Sequence, residues 1–391
     1  MQHWDLYIDE SGDFGSLADT PIDRRRPGDD DVVVAGVLMD RTSETWSEKA
    51  LRRSLVGVAP WLPRPLHMAH VNRCAMHAVA LVAARRRVDG PDDETIAAAK
   101  RCVDAMRSGD GDLYRRVAAR VRKGETPRIG EVVALDRFVD EVESADRKAI
   151  MRLVRSTQRT LQARIRAAIG DAIAQEHGHW VVATEAVPGG DRIRGDEVSD
   201  RYLGLLVELV ARCADQLTAS GGEHTLHVSA LTRDVFDAGT GLRRRLHADV
   251  VRRQLVPRLG APGTDGAFRI RRADGDSQVT VHIGPCESWT ADVHPLHVCA
   301  DVAANTMRGA IRRTDLAAMA ESAQRRMGLY LRVESLPNVA TGGTPGACVA
   351  RARVGAGAGP SMECARPLAR AQAEAWMKWY EQAPMQWEGT A

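Results

Sequence analysis

Strand-like segments lie on both sides of a long stretch of the chain in which only helix patterns occur. Residues 4–9 (WDLYID) and 32–39 (VVVAGVLM) are short apolar runs rich in β-branched and aromatic residues, which predicts two strands joined by a polar loop. Residues 71–175 contain almost no strand pattern, and strand patterns resume at residue 180. A sheet in this chain must therefore be assembled across the helical stretch, which we interpret as an insertion.

The chain after the helical stretch alternates between strand and helix patterns, which predicts a mixed α/β layer structure. A helix with acidic residues in its first turn and basic residues in its last is also predicted from Ser43. The later predicted elements are a strand at 180–187, the helix RYLGLLVELVARCADQL, a strand at 224–231, the basic helix LRRRLHADVVRRQL, strands around FRIRRA and SQVTVHI, and an Ala-rich helix from about Val293. We therefore divide the chain into a core at 1–70 and 176–312, an insertion at 71–175 and a C-terminal extension at 313–391.

The bulk composition excludes some classes of protein. With 54 basic and 52 acidic residues the formal charge is +2, so any affinity for nucleic acid must come from local charge rather than from the total. The seven cysteines are scattered and form no CxxC pair, which argues against a disulfide framework and against a zinc ribbon. Neither a leader pattern nor a run of about 18 apolar residues occurs, so we expect a cytoplasmic protein without membrane contact.

The first strand ends in two acids, within the stretch YIDESG at 7–12. Because successive strand residues point to opposite faces, Asp9 and Glu10 cannot both face one site, and Asp9 is the one that continues the strand. A carboxylate at a strand end followed by glycine suits a hard cation, since glycine lets the backbone approach closely. The alternative is that Asp9 and Ser11 only cap a turn, and the spacing alone leaves both interpretations open.

A second acid interrupts the Ala-rich helix near the end of the core, in HPLHVCADVAANTMRGAIRR at 294–313. Small residues around Asp301 predict close packing on a sheet, so its carboxylate is expected to be poorly solvated and to need a partner. Asp301, Asn305 and Arg308 fall at i, i+4 and i+7, which places them on one stripe. Asp301 then either pairs with Arg308 or a neighbouring cation, or faces a metal that it shares with Asp9.

These motifs resemble the hallmarks of the domain of unknown function 3800 (DUF3800) family, whose members look like ribonuclease-H-fold proteins. The matching motifs are YIDESG (7–12), VVVAGVLM (32–39), Leu66-His67 and Ala300-Asp301 in HVCADVAA. The resemblance covers roughly residues 4–70 and 176–312. It implies an α/β fold with a ribonuclease-H-like mixed sheet flanked by helices, carrying a long helical insertion and a C-terminal extension.

The resemblance also implies a chemistry, namely hydrolysis of phosphodiester bonds in RNA or DNA with two divalent ions, Mg²⁺ or Mn²⁺, about 3.5 to 4 Å apart. In this reading Asp9 bridges the ions, and Asp301 and Glu185 complete the ligand set. Glu185 is chosen because a ribonuclease-H order would place its strand beside the first one. Glu10 or His67 would serve as an outer ligand or proton carrier. The implied setting is a prokaryotic defence or mobile-element system.

Two positions depart from the family pattern. Val298 occupies a position that is usually Gln in relatives, and the strand HTLHVSAL has no acid near Ala230, where relatives tend to end in one. These departures favour the alternative function, a catalytically inactive ribonuclease-H-like subunit that binds nucleic acid or protein.

A zinc site is the rival metal hypothesis. His67, His70, Cys74 and His77 fall at i, i+3, i+7 and i+10, which is one stripe on a helix. Four ligands on one straight helix cannot surround a tetrahedral ion, because the stripe is about 15 Å long at a rise of roughly 1.5 Å per residue. At most one neighbouring pair would bind.

A basic surface is predicted on the helix at 147–169. Arg152, Arg155 and Arg159 lie at i, i+3 and i+7 on one face, where they either follow the phosphates of a nucleic acid or form a solvated face in an Arg-rich chain. The helical insertion and the C-terminal tail are also where a second copy of the chain or a protein partner is expected to dock.

Overall fold

The chain divides into two compact units in the computed structural model. One comprises Met1–Ala50 with Arg166–Ala391 and is called the sheet unit here, and the other, Leu51–Ile165, is called the helical unit. The helical unit thus begins before the predicted residue 71 and includes His67. The structure describes residues 1–11, 31–55, 62, 66–83, 92–174, 177–186, 195–237, 242–271, 275, 277–289, 293–311, 331–335 and 348–352.

The described secondary structure of the helical unit consists of helices. They are α2 (Met68–Val71), α3 (Cys74–Ala83), α4 (Asp93–Lys123) and α5 (Ile129–Asp140), while α1 (Arg41–Leu55) and α6 (Ser144–Ala174) cross the boundary in sequence. Local chemistry sets the ends of α4: Asp92 Oδ1 accepts the Thr95 N–H at 2.7 Å, and Gly124 ends the helix at φ 76°. None of the described helices is long and apolar enough to cross a membrane.

The sheet unit is built on a mixed sheet. Its strands are β1 (Gln2–Ser11), β2 (Asp31–Asp40), β3 (Gly178–Ala186), β4 (Gly222–Ala230), β7 (Phe268–Arg271), β8 (Ser277–Ile283), β9 (Leu331–Ser335) and β10 (Cys348–Ala352). Their order in the sheet is β7-β8-β4-β1-β2-β3-β10-β9. β1 runs parallel to β4, and β4 to β8, whereas the other neighbours are antiparallel. The predicted mixed α/β class is confirmed.

Three further helices and a short ribbon complete the described part of the sheet unit. They are α7 (Gly195–Ala219), α8 (Ala248–Leu259), α9 (Pro295–Ile311) and the antiparallel pair β5 (Asp234–Asp237) and β6 (Leu242–Arg245). β6 corrects the sequence prediction, because LRRR opens a segment that we expected to be wholly helical. Apart from β9 and β10, the predicted C-terminal extension lies outside the described residues.

The central strand β1 separates apolar from polar residues by simple alternation. Trp4, Leu6 and Ile8 are buried in the core with the apolar residues of α7. Asp5 and Tyr7 instead contact polar side chains of α1 and of the segment at the start of α9. The strand therefore presents a polar edge to the side of the sheet on which α9 packs.

A glycine on β2 lets groups of the neighbouring strands pack closely against the β2 backbone. A Cβ added to Gly36 would meet Leu6 Cδ1 at 2.8 Å and both the Tyr7 carbonyl oxygen and Val181 Cγ2 at 3.1 Å. We expect Gly36→Ala to lower the free energy of unfolding by about 1–3 kcal/mol, measured by denaturant titration, because overpacking forces its neighbours apart. Gly204→Ala is the control, since its Cβ meets nothing within 4 Å on an exposed helix face, so it should be neutral or stabilising.

Candidate metal centre

Asp9 lies at the end of β1 and is almost entirely buried, with 4% of its surface exposed. Its Oδ1 accepts the Glu10 backbone N–H at 2.8 Å. Its other oxygen, Oδ2, is buried and has no hydrogen-bond partner among the described residues. A buried carboxylate oxygen without a donor costs free energy. The turn-capping interpretation therefore accounts for Oδ1 but not for Oδ2.

Asp301 lies on α9, which packs against β1 and β2. The neighbouring Ala300, Ala303 and Ala304 are buried, and these small side chains bring the helix close to the sheet. Asp301 itself is 2% exposed, which confirms the expectation that its carboxylate is poorly solvated. The Arg308 side chain, the predicted structural partner, lies outside the described residues.

The two acids meet across the helix–sheet interface. One carboxylate oxygen of Asp9 and one of Asp301 lie within 4.8 Å of each other, so the predicted proximity is confirmed. Burial raises the pKa of Asp9 well above its ordinary value, and the charges of Asp301 and Glu10 raise it further. A bound divalent cation would instead favour the ionised carboxylates, and a pair of carboxylates, which offers only oxygen ligands, suits Mg²⁺ or Mn²⁺.

Glu10 stands beside the pair and is held by a cation. Arg233 Nη1 lies 3.0 Å from Glu10 Oε1, and the Arg233 guanidinium carbon lies 4.6 Å from the centre of the Tyr202 ring. Glu10 is near enough to raise the pKa of Asp9. The predicted roles of Glu10, outer ligand or proton carrier, stay predictions.

Glu185 is not supported as the third ligand, because its strand does not lie beside β1. β3 pairs with β2, and Glu185 stands opposite Val32, three residues from the Ala35 that pairs with Asp9. Because three is an odd number and strand positions alternate between the two faces of the sheet, position 185 does not share a face with Asp9. The prediction about strand adjacency was wrong because a linear pattern does not reveal which strands pair. The Glu185 side chain lies outside what the structure describes.

His67 belongs to the helical unit, where it caps α2. Its Nδ1 accepts the Ala69 backbone N–H at 3.1 Å. The neutral ring consequently carries its proton on Nε2, since only one ring nitrogen can accept. Both predicted roles of His67, outer ligand and proton carrier, stay predictions.

The positions that depart from the family pattern are apolar and buried in the structure. Val298 and Ala230 are each 4% exposed, and Ala230 pairs with Ile8 on β1. The next residue, Leu231, is also buried, so the end of β4 brings no carboxylate to the edge where Asp9 lies. Glu287 bridges to Leu231 through its backbone, and its Oε1 accepts a hydrogen bond from Ser229 Oγ at 3.2 Å.

The zinc hypothesis loses its premise of one straight helix. α2 ends at Val71 and α3 begins at Cys74, and the intervening residues break the stripe. His77 is fully buried with Nε2 2.9 Å from the Val71 carbonyl oxygen, and burial lowers its pKa to about 4. Among the described residues, the candidate stripe forms no group of three converging ligands.

Arg152, Arg155 and Arg159 are exposed on α6, as predicted. Arg152 Nη1, however, lies 3.2 Å from Asp92 Oδ2 and 3.1 Å from Glu94 Oε2, so its charge is balanced by two acids. Phosphate binding by this face stays a prediction that rests mainly on Arg155 and Arg159.

Sequence reasoning missed that the acid pair belongs to a longer row of polar groups, which is called the β1–α9 polar row here. It comprises Asp5, Tyr7 and Asp9 on β1 and His294, His297 and Asp301 at i, i+3 and i+7 in and just before α9. The Tyr7 ring stacks on His294 at 4.3 Å and meets His297 edge-on at 5.1 Å. The period of two in WDLYID and the helical spacing in HPLHVCAD were the signals that could have revealed this row.

Glu44 of α1 joins this row as a buried acid. The Tyr7 hydroxyl donates to Glu44 Oε1, and His294 Nε2 lies 3.3 Å from the same oxygen. Burial, together with a hydrogen bond to the Asp5 carboxylate, raises the pKa of Glu44 to about 8. Asp5, Tyr7, Arg41 and His294 are charged or titratable groups that act on Glu44, and Glu48 Oε2 lies 3.4 Å from His294 Nε2.

We expect Glu44 to make stability dependent on pH. Because its folded-state pKa is raised, its contribution is present below about pH 4.5 and is lost as the pH rises through about 8. Glu44→Gln keeps the acceptor for Tyr7 but cannot ionise. We therefore expect the free energy of unfolding of the variant, measured by urea titration between pH 5 and 9, to rise relative to that of the wild type as the pH rises. A difference between the two that does not change with pH would contradict the assignment.

No family model matches the chain, and no curated protein or solved structure is detectably similar to it. The function of the acid pair must therefore be inferred from its geometry and chemistry.

Proposed function

We propose that the protein is a metal-dependent nuclease of the DUF3800 type, which hydrolyses phosphodiester bonds in RNA or DNA with Mg²⁺ or Mn²⁺. The observation that carries the proposal is the buried pair Asp9 and Asp301, whose carboxylate oxygens lie within 4.8 Å of each other. Two buried acids at this distance repel each other, and one oxygen of Asp9 has no donor within the described part of the chain. A bound divalent ion would compensate for both costs.

The position of the pair in the sheet also supports the proposal. Asp9 lies towards the C-terminal end of β1, whose parallel neighbour β4 ends at the same edge. Ligand sites in open α/β sheets favour the carboxyl ends of the strands. The mixed sheet, with β1 inside it and β2 running in the opposite direction, is compatible with the ribonuclease-H-like fold that the resemblance implies.

Each residue then has a distinct task. Asp9 and Asp301 would hold the ion, which when bound supplies an activated water and stabilises the leaving oxygen of the phosphodiester. Glu10 keeps negative charge beside Asp9 and is itself fixed by Arg233.

The test is a cleavage assay on single-stranded and duplex RNA and DNA with Mg²⁺, with Mn²⁺ and with a chelator. We expect cleavage of at least one substrate with an added ion, and none with chelator or in the Asp9→Asn/Asp301→Asn double variant purified in parallel. If the wild type cleaves nothing with either ion, or the double variant cleaves as well as the wild type, the nuclease proposal is wrong.

The second candidate function is an inactive subunit that binds nucleic acid or protein. The apolar end of β4 at Ala230 and Leu231 favours it, because the strand parallel to β1 supplies no acid at the end where Asp9 lies. Binding of a labelled oligonucleotide without cleavage under any metal would select this alternative.

A further inference from the structure

We infer that Arg233 is the phosphate-binding residue of the acid-pair centre, where its guanidinium holds the nucleic-acid backbone next to the bound ion. This inference rests on the proposed nuclease function and adds the site that receives the substrate. No other role for Arg233 follows from the resemblance or from the sequence motifs.

The first argument is the position of Arg233 in the fold. It follows the end of β4, whose parallel neighbour β1 ends at the same edge with Asp9. Its contact with Glu10, at 3.0 Å, places it one residue along β1 from Asp9. A phosphodiester that reaches the Asp9–Asp301 pair therefore passes within reach of this guanidinium.

The second argument is charge. Asp9, Glu10 and Asp301 place three acids at this edge, and an anionic phosphate approaches them only if positive charge is supplied beside the metal. Arg233 already pairs with one of these acids, Glu10, at this edge. A planar guanidinium also presents its donors in a fork that matches phosphate oxygens, which an ammonium does not.

The third argument is rigidity. The guanidinium carbon of Arg233 lies 4.6 Å from the centre of the buried Tyr202 ring, so the ring fixes the plane of the fork. About a quarter of the side chain is exposed, at 24%. Arg233 is thus held in one orientation while it remains accessible to a ligand.

The fourth argument is the arginine-rich ribbon that continues from Arg233. β5 begins at the next residue, and the Arg233 carbonyl oxygen accepts the Leu246 N–H at 2.7 Å just after β6. β6 has the sequence LRRR, and Arg245 in it is exposed. The ribbon therefore follows Arg233 directly in the chain and carries an exposed positive charge at Arg245, which suits a strand of nucleic acid longer than one nucleotide.

The test measures binding separately from cleavage. Fluorescence anisotropy with labelled single-stranded RNA and DNA is recorded in Ca²⁺, and cleavage kinetics are recorded in Mg²⁺ or Mn²⁺. We expect Arg233→Gln to weaken binding roughly tenfold, to reduce the slope of log affinity against log salt by about 0.7, and to raise KM more than it lowers kcat. Arg233→Lys should recover part of the affinity because it keeps the charge but loses the fork.

Arg269→Gln is the matched control, because Arg269 is an accessible arginine that is likewise paired with an acid, Asp265, within the sheet unit. It should bind and cleave as the wild type does. The double variant Glu10→Gln/Arg233→Gln removes the unpaired acid that Arg233→Gln leaves behind, so it tests the same loss of phosphate binding if the single variant folds poorly.

The outcomes distinguish this inference from the proposed function. A wild type that cleaves, with Arg233 variants that bind and cleave like the Arg269 control, would overturn the role of Arg233 and leave the nuclease intact. A wild type that neither binds nor cleaves would overturn both.

Discussion

Asp9→Asn is expected to make the metal-free protein more stable than the wild type. At pH 8 without divalent ions, the variant should gain about 1 to 3 kcal/mol in the free energy of unfolding, the order of the cost of burying a polar group without a compensating partner. The reason is that burial, Asp301 and Glu10 all oppose the ionised form of Asp9. Most substitutions of a buried residue destabilise, so a gain here would identify an acid retained for function.

Manganese should reverse this order. At a concentration about 100 times its dissociation constant, an ion that binds only the folded protein adds about 2.7 kcal/mol of stability. The wild type should show this gain in thermal denaturation, and Asp9→Asn should not. Asp104→Asn, which changes an exposed acid, is the control and should respond to manganese as the wild type does. A metal-free Asp9→Asn that unfolds more easily than the wild type would contradict the account.

Asp301→Asn is expected to cause the largest loss of activity. Removal of a carboxylate that holds the catalytic ion forfeits several kcal/mol of transition-state stabilisation, which corresponds to a loss of cleavage of roughly 10³-fold or more. The variant should keep its far-ultraviolet circular dichroism and its affinity for oligonucleotide in Ca²⁺ within a few-fold. Single-turnover cleavage rates provide the measurement.

Asp301→Glu is the companion variant, since it keeps the charge but moves the carboxylate by one methylene. It should fall between Asp301→Asn and the wild type and should respond more strongly to Mn²⁺ than to Mg²⁺, which demands stricter geometry. If Asp301→Asn cleaves at the wild-type rate, Asp301 does not hold the catalytic ion.

The acid pair could be predicted from the sequence because each acid violates a strong local pattern. Asp9 continues a strand whose alternation assigns it a face, and Asp301 interrupts a helix of small residues that packs closely. Neither inference required knowledge of long-range contacts. Their separation of nearly three hundred residues was bridged by the resemblance, and the distance within 4.8 Å confirms the pairing.

The remaining site residues depend on pairings that local patterns do not encode. Glu185 was misassigned because β3 joins the sheet beside β2, and strand order is set by packing of the whole layer. Arg233 was not predicted as a site residue because it is placed at the site by its ion pair with Glu10, a residue far away in the sequence. β6 was taken for helix because an arginine run followed by a helix has no distinguishing period of its own.

Calorimetric titration of Mn²⁺ into the metal-free protein tests the central claim most directly. The account predicts saturable binding to the wild type, with unchanged binding in Asp104→Asn and none in Asp9→Asn/Asp301→Asn. Absence of binding to the wild type, or binding that persists in the double variant, would contradict a metal centre at Asp9 and Asp301.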